Sequence, residues 1–164
     1  MKDNENHQGR ILVVDDEKRM RQLLAMMLEG NGYEVNQAED GQEALDQLHQ
    51  SAYDLVIADI KMPRLDGHGL LKQMKKEGID LPMVFITAFA SVESAVEAMQ
   101  QGVVDYISKP FDQDRILLTV KRSLNLSRIM AENKELKQEI QKIAGEEEII
   151  YSSNLMHQTI ETAA

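Results

Sequence analysis

Five polar or charged side chains stand at or just after the ends of apolar runs: Asp15, Asp16, Asp59, Thr87 and Lys109. Three converging carboxylates would repel one another and raise each other's pKa, and a divalent cation would remove that repulsion. Oxygen ligands, with no cysteine and no clustered histidine, favour Mg²⁺ over zinc. A cation, a lysine and a hydroxyl around a carboxylate nucleophile are the groups that phosphoryl transfer requires. These residue types predict that chemistry if the fold brings them together.

Five short apolar runs alternate with helical patterns, which is typical of an α/β fold with a doubly wound parallel sheet. The predicted strands are Ile11–Val14, Tyr33–Val35, Leu55–Ala58, Met83–Ile86 and Val103–Ile107. Helical spacing follows each strand, as in Val92, Ala95, Val96 and Met99 after Ser91. Sites in such sheets form at the carboxyl ends of the strands, where the five side chains stand. A helix cap or a solvated loop residue explains any one of them, but explains the whole set less well.

Composition excludes several classes of protein. The 164 residues carry a formal net charge of -10 and include no cysteine, so disulfides and thiolate chemistry are excluded. An acidic chain is a poor nucleic-acid binder, and we expect DNA binding only in domains outside this chain. No apolar run is long enough to span a membrane, and the N-terminus does not resemble a signal peptide. We therefore expect a soluble, cytoplasmic protein.

Four blocks resemble the signature of response-regulator receiver domains. They are Val13–Glu17, Asp59–Gly67, Thr87-Ala88 and Lys109–Phe111, in the family's order, and the match covers residues 10–124. The resemblance implies a flavodoxin-like five-stranded parallel sheet of order 2-1-3-4-5. It also implies a signalling domain of a two-component phosphorelay, which accepts a phosphoryl group from a sensor histidine kinase and is not an enzyme acting on a metabolite.

The same resemblance assigns roles to individual residues. Asp59 would be the phosphoacceptor, Thr87 and Lys109 would bind phosphoryl oxygens, and Tyr106 would be an aromatic switch residue. The alternative for Tyr106 is a simple core aromatic. The Lys109–Pro110 bond is expected to be cis. The Mg²⁺ ligands would be Asp16 directly, Asp15 mostly through water, Asp59, and the backbone carbonyl of Lys61.

A different apolar pattern begins near the end of the receiver match. It places Leu126, Asn133 and Ile140 at heptad position a, and Ile129, Leu136 and Ile143 at d. Glu132 at g and Lys137 at e would pair across a parallel dimer. We expect residues 125–144 to form a coiled-coil linker that continues the last helix to about Ile143, before Gly145. The alternative is a single helix that packs this stripe against its own domain.

The remaining segments suggest what the receiver controls. Residues 1–9 are expected to be a polar tail, and residues 145–164 resemble the start of an AAA+ output domain of sigma-54-dependent activators. The chain would then regulate transcription as part of a nitrogen-regulator-like protein. A receiver joined to a hybrid kinase or a cyclase is an alternative output.

Two other classes of protein fit the pattern less well. A haloacid-dehalogenase-like phosphatase also uses an aspartate nucleophile with Mg²⁺, but has Asp-x-Asp after the first strand, where Asp15 and Asp16 are adjacent here. A dinucleotide-binding domain needs a glycine-rich turn at the same place, and none is present.

Overall fold

The computed structural model describes residues 8–151, with side chains through residue 143. The strands are β1 (Arg10–Val14), β2 (Glu34–Ala38), β3 (Leu55–Asp59), β4 (Met83–Thr87) and β5 (Asp105–Ser108). The helices are α1 (Lys18–Glu29), α2 (Gly41–Gln50), α3 (Gly67–Lys76), α4 (Val92–Gln101) and α5 (Gln113–Tyr151). All strand pairs are parallel, in the order β2-β1-β3-β4-β5, so the predicted fold is confirmed.

The sheet is covered on both faces, and β1 lies in its interior. Ile11 and Val13 point to one face, and Leu12 and Val14 point to the other, as the alternation of side chains along a strand requires. The first pair belongs to a core that includes residues of α1 and α5, and the second to a core that includes residues of α2, α3 and α4. Burial on both faces explains why this strand is a continuous apolar run.

The two edge strands differ from their predicted bounds. β2 extends past the predicted Val35 and includes Asn36 and Gln37, polar residues that an edge strand tolerates because it is only partly covered. β5 begins later than predicted. Val103 is buried but precedes the strand, and its amide donates to the carbonyl of Ala98 in the turn after α4.

The apolar residues that predicted α4 lie mainly on its outer side. Val92 is 81% exposed, and Val96 and Met99 are each 50% exposed, whereas Ala98 is fully buried. Helical spacing identifies a helix without showing which side faces the core. Here a small alanine lies inside, and the larger side chains remain available to solvent.

Helix α5 is longer than predicted. It continues through Gly145 to Tyr151, so the expected end near Ile143 is wrong. Glycine costs only about 1 kcal/mol relative to alanine inside a helix, which weakens a helix without ending it. The predicted tail (1–9) and AAA+ segment (145–164) lie largely outside the described residues.

The chain divides into two units, Met1–Ser127 and Arg128–Ala164. In the second unit, four predicted a and d residues are more than half exposed: Ile129, Leu136, Ile140 and Ile143. Among residues 8–151, no helix has the length and hydrophobicity that a membrane crossing needs.

Candidate functional site

Three carboxylates meet at the carboxyl edge of the sheet. β1 leads directly into Asp15 and Asp16, and β3 ends at Asp59. The two strands are neighbours, with Val14 beside Ala58, so the side chains that follow them come together. One oxygen from each carboxylate lies within 4.8 Å of the others. The structure therefore gathers the acidic residues that the sequence singled out.

Lys109 bridges two of these carboxylates. Its Nζ lies 2.9 Å from Asp15 Oδ2 and 3.1 Å from Asp59 Oδ2, and its side chain is only 12% exposed. The backbone amide of Lys109 donates to the carbonyl of Thr87 at 2.8 Å, which fixes the chain after β5 against the end of β4. The Lys109–Pro110 peptide bond is cis, as expected.

Burial and charge act in opposite directions on the ionisable groups. Burial raises the pKa of Asp59, and the negative charge of Asp15 raises it further. The hydrogen bond and charge of Lys109, and the hydrogen bond from the Lys61 amide, lower this pKa. The net shift of the Asp59 pKa is upward. Burial alone would lower the pKa of Lys109, but its contacts with Asp15 and Asp59 outweigh burial and raise that pKa. Lys109 therefore stays charged, yet it compensates Asp59 only in part.

The carboxylates fit a hard divalent cation. They outnumber the single ammonium group, so the cluster retains excess negative charge. Mg²⁺ takes oxygen ligands at about 2.0–2.1 Å, which places ligand oxygens roughly 3–4 Å apart around one ion. The observed separations, within 4.8 Å, require little adjustment to meet that spacing.

Thr87 and the residues around it border the same edge. Thr87 ends β4, is 1% exposed, and its Oγ1 accepts a hydrogen bond from the amide of Phe89 at 3.1 Å. The Phe89 ring is 64% exposed and lies 3.8 Å from Lys61 Nζ, in cation–π contact. The amide of Lys61 faces Asp59 Oδ1 at 3.4 Å, so the loop after β3 starts beside the cluster.

Tyr106 joins β5 to α4. Its ring packs against the core on the α2–α3–α4 side of the sheet, and its hydroxyl lies 2.7 Å from Ser94 Oγ in the first turn of α4. The sequence singled out Tyr106 but not its partner, because nothing in the local pattern links residues twelve positions apart.

Two contacts to Asp15 were also not predicted from the sequence. Arg21 Nη1 donates to the backbone carbonyl of Asp15 at 2.7 Å, although Arg21 follows the ordinary spacing of α1. The amide of Glu17 donates to Asp15 Oδ1 at 2.9 Å, a local turn that an aspartate two residues earlier could have suggested. Both contacts restrain Asp15 beside the other carboxylates.

Comparison with known proteins gives consistent matches. The Response regulator receiver domain model matches residues 11–121. Regulatory protein AtoC of Escherichia coli is 40% identical over 130 residues, which is 79% of this chain and 28% of that protein. Response regulator MprA of Mycolicibacterium vanbaalenii is 42% identical over 115 residues, or 70% of this chain and 50% of that protein.

Solved structures give the same picture. The Francisella response regulator 1452 receiver domain has a TM-score of 0.70 and 34% identity, covering 73% of this chain and 99% of that one. NtrX from Brucella abortus has a TM-score of 0.73 and 40% identity, covering 78% of this chain and 29% of that one. The chain thus spans between about a quarter and a half of the curated relatives named above. It belongs to the response regulator receiver domain family.

Proposed function

We propose that Asp59 accepts a phosphoryl group from a sensor histidine kinase, and that this chain thereby receives the signal of a two-component system. The observation that carries the proposal is the position of the Asp59 carboxylate. It lies at a strand end with Asp15 and Asp16 within 4.8 Å and with Lys109 Nζ at 3.1 Å. The sequence match to the receiver family supports the same role.

The transfer requires a carboxylate nucleophile and compensation of phosphate charge. An Asp59 carboxylate oxygen forms the new O–P bond, the P–N bond of the kinase phosphohistidine breaks, and its electron pair leaves with the imidazole nitrogen. Lys109, held beside Asp59, would balance negative charge on a phosphoryl oxygen, and the Thr87 hydroxyl would donate a hydrogen bond to another. The chain assists its own phosphorylation but does not turn over a metabolite.

The cofactor in this proposal is Mg²⁺, which supplies positive charge at the phosphoryl oxygens when bound. Asp15, Asp16, Asp59 and the backbone carbonyl of Lys61 would hold it. The supporting observation is that three carboxylates lie within 4.8 Å of one another, with the Lys109 ammonium group in contact with two of them.

The proposed switch couples Thr87 to Tyr106. When Thr87 moves toward the phosphoryl group, the Tyr106 ring turns inward, and its hydroxyl leaves Ser94 on α4. The support for this step is that Tyr106 lies only partly buried beside α4, where a change in its position alters an exposed surface.

We further propose that the output is sigma-54-dependent transcription, carried by domains beyond this chain, in a cytoplasmic protein. AtoC is named a regulatory protein and ZraR of Escherichia coli a transcriptional regulatory protein, and each is 40% identical to this chain over its matched residues. The AtoC match is longer than residues 11–121, which supports a relation that includes part of the linker. A hybrid kinase or cyclase output remains the alternative.

We also propose that two copies form a parallel coiled coil through α5. The supporting observation is the exposed row of Leu126, Ile129, Leu136, Ile140 and Ile143, with exposures from 36% to 62%. Glu132 at g and Lys137 at e supply complementary charge in the parallel arrangement. The dimer would link two receivers to one output.

Labelling with acetyl phosphate and Mg²⁺ tests the site. Wild type is expected to incorporate one phosphoryl group, and Asp59→Asn none, because the amide is not a nucleophile of this kind. Asp80→Asn is the matched control, because Asp80 is exposed and lies before the amino end of β4, whereas the site lies at the carboxyl end of the strands. Undiminished labelling of Asp59→Asn would contradict the assignment.

Calorimetry with Mg²⁺ alone tests the metal separately. Wild type is expected to bind one ion, and Asp16→Ala to bind at least tenfold more weakly, because a direct ligand is lost. Equal affinities would exclude Asp16 as a ligand.

A further inference from the structure

The loop between β3 and α3, residues 60–66, contains a strained turn. Arg64 has a φ of 67°, and among the described residues it is the one non-glycine with a positive φ. The amide of Leu65 donates to the carbonyl of Pro63 at 2.7 Å, which closes a three-residue γ-turn around Arg64. Turns of this kind are rare and unfavourable for a residue with a side chain. They persist where surrounding contacts hold them, often beside functional sites.

An ion pair with α2 holds this turn. Arg64 Nη2 lies 2.5 Å from Asp40 Oδ2, and the Asp40 side chain is only 1% exposed. The other oxygen of Asp40 accepts the amide of Glu43 at 2.8 Å and caps α2. Within the described residues Oδ2 has no hydrogen-bond partner, and the Arg64 guanidinium is in ion-pair contact with it. The buried oxygen of Asp40 therefore depends on the Arg64 guanidinium.

A backbone contact reinforces the ion pair. The amide of Gly41 donates to the carbonyl of Leu65 at 3.0 Å, and a Cβ at Gly41 would clash with that carbonyl oxygen, so no other residue fits. At the other end of the loop, the amide of Gly67 donates to the carbonyl of Ile60 at 2.8 Å. The first residue of α3, Gly67, thus holds the start of the loop at Ile60, and the first residue of α2, Gly41, holds the loop at Leu65.

We propose that the Arg64–Asp40 ion pair is a positioning device for the cation site. Arg64 does not belong to the acidic cluster; it acts through the loop backbone, which fixes Lys61, whose carbonyl is the proposed fourth ligand. The inference rests on the proposed function, because it assumes that Mg²⁺ binds at Asp15, Asp16 and Asp59. The same ion pair compensates the charge of the central carboxylate in a second acidic group, Glu39, Asp40 and Glu43.

Mg²⁺ affinity of Arg64→Gly, measured by calorimetry, distinguishes positioning from simple electrostatics. Removing a positive charge would by itself strengthen cation binding. Positioning predicts the opposite sign, because the loop loses its contact with α2. We expect affinity to fall about tenfold, the lower range for a residue that orients metal ligands. Glycine accepts a positive φ, so thermal melting should show a folded domain.

Three further variants complete the test. Arg64→Lys keeps the charge and is expected to retain near wild-type affinity. Asp40→Asn keeps a capping oxygen but removes the ion pair, so it should weaken binding by a similar factor and add nothing in the Arg64→Gly background. Glu39→Gln removes a second, exposed carboxylate whose Oε1 lies 3.9 Å from Arg64 Nη2, but it leaves the closer pair with Asp40 in place, so affinity should stay unchanged.

Each outcome decides a different point. Wild-type affinity or tighter binding in Arg64→Gly, while wild type binds Mg²⁺ and Asp16→Ala binds it at least tenfold more weakly, would overturn this inference alone. Weak binding in Arg64→Lys, or independent losses from Arg64→Gly and Asp40→Asn, would overturn the role of the ion pair. No Mg²⁺ binding by wild type would overturn the proposed cation site and this inference together.

Discussion

The groups around Asp59 have opposite effects on the pKa of its carboxyl group. Its side chain is 11% exposed, and burial together with Asp15 disfavours its negative charge, while Lys109 at 3.1 Å favours it. The net effect is a raised pKa, so the folded, metal-free protein holds a proton on Asp59 more tightly than the unfolded chain does. Ionisation of Asp59 therefore lowers the stability of the metal-free fold.

Asp59→Asn should therefore stabilise the metal-free protein at neutral pH. The stabilisation from a protonated Asp59 is complete below its unfolded pKa, near 3.8, and is lost as the pH rises through the higher folded pKa. Asparagine is neutral at every pH, so its advantage should be largest at pH 7 and should vanish toward pH 4. We expect a gain on the order of 1 kcal/mol, the scale of most single substitutions. Urea unfolding in the presence of a chelator measures it.

The control for this measurement is Asp80→Asn, at an exposed position, which should change stability little at either pH. A less stable Asp59→Asn at pH 7 would show that the contact with Lys109 outweighs burial. A gain that does not depend on pH would show that the charge of Asp59 is not its cause.

At the scale of elements, α4 is held differently at its two ends. At its carboxyl end, the carbonyl of Gln101 accepts a hydrogen bond from Lys75 Nζ, and the Gln101 side chain contacts His68 on α3. In its first turn, one side-chain hydrogen bond to β5 is seen among the described residues, between Ser94 and Tyr106. A change at Tyr106 would therefore act mainly on the amino-terminal end of α4.

Ser94→Ala should make the switch easier to complete. If the Tyr106 hydroxyl leaves Ser94 when the ring turns inward, removing this bond lowers the free energy of that step. One hydrogen bond contributes about 0.5–1.5 kcal/mol, so affinity for beryllofluoride with Mg²⁺ should rise roughly two- to tenfold. Titration of wild type and Ser94→Ala measures the change.

Tyr106→Phe is the matched variant, since it removes the same bond and keeps the ring. Both variants should bind the analogue more tightly than wild type. Weaker binding in both would mean that the bond supports the active conformation instead.

The sequence predicted the elements and the acidic cluster because both depend on local signals. Apolar runs identify buried strands such as β1, and an aspartate directly after such a run must reach the carboxyl edge. The partners of these residues depend on tertiary contacts, which local spacing does not encode. The pairs Ser94–Tyr106 and Arg64–Asp40 escaped prediction for that reason. The exposure of the larger apolar residues of α4 was not predicted either, because the periodicity of a helix does not show which of its sides faces the core.

At the scale of the whole chain, the part beyond Ser127 has no core of its own among the residues described. Its large apolar residues are exposed along one helix and recur with the heptad spacing. Such a stripe is unfavourable in water unless a partner covers it. The arrangement supports the proposed dimer.

Asn133→Ile should make that dimer more stable and less specific. A buried asparagine at an a position hydrogen-bonds across the dimer axis and fixes register at a cost in stability, and isoleucine removes both effects. We expect a higher melting temperature and species larger than a dimer, measured by thermal melts and light scattering at matched concentrations.

Gln138→Ile is the matched control, because it introduces the same side chain at heptad position f, which faces away from the proposed seam. It should neither raise the melting temperature nor change the mass. Equal effects of the two isoleucines would show that Asn133 has no special place in an interface. A monomeric wild type at high concentration, with and without beryllofluoride, would exclude the dimer.

The contact between Tyr106 and Ser94 has a further consequence for spectroscopy. The chain has no tryptophan and four tyrosines, so tyrosine dominates its near-ultraviolet absorption and emission. The Tyr53 hydroxyl donates to Gln47 on α2, whereas the Tyr106 phenol would lose its contact with Ser94 if the ring turns as proposed. The unmodified protein therefore carries its own chromophore at the proposed switch, and we expect that tyrosine absorption and emission would follow this motion without an attached dye.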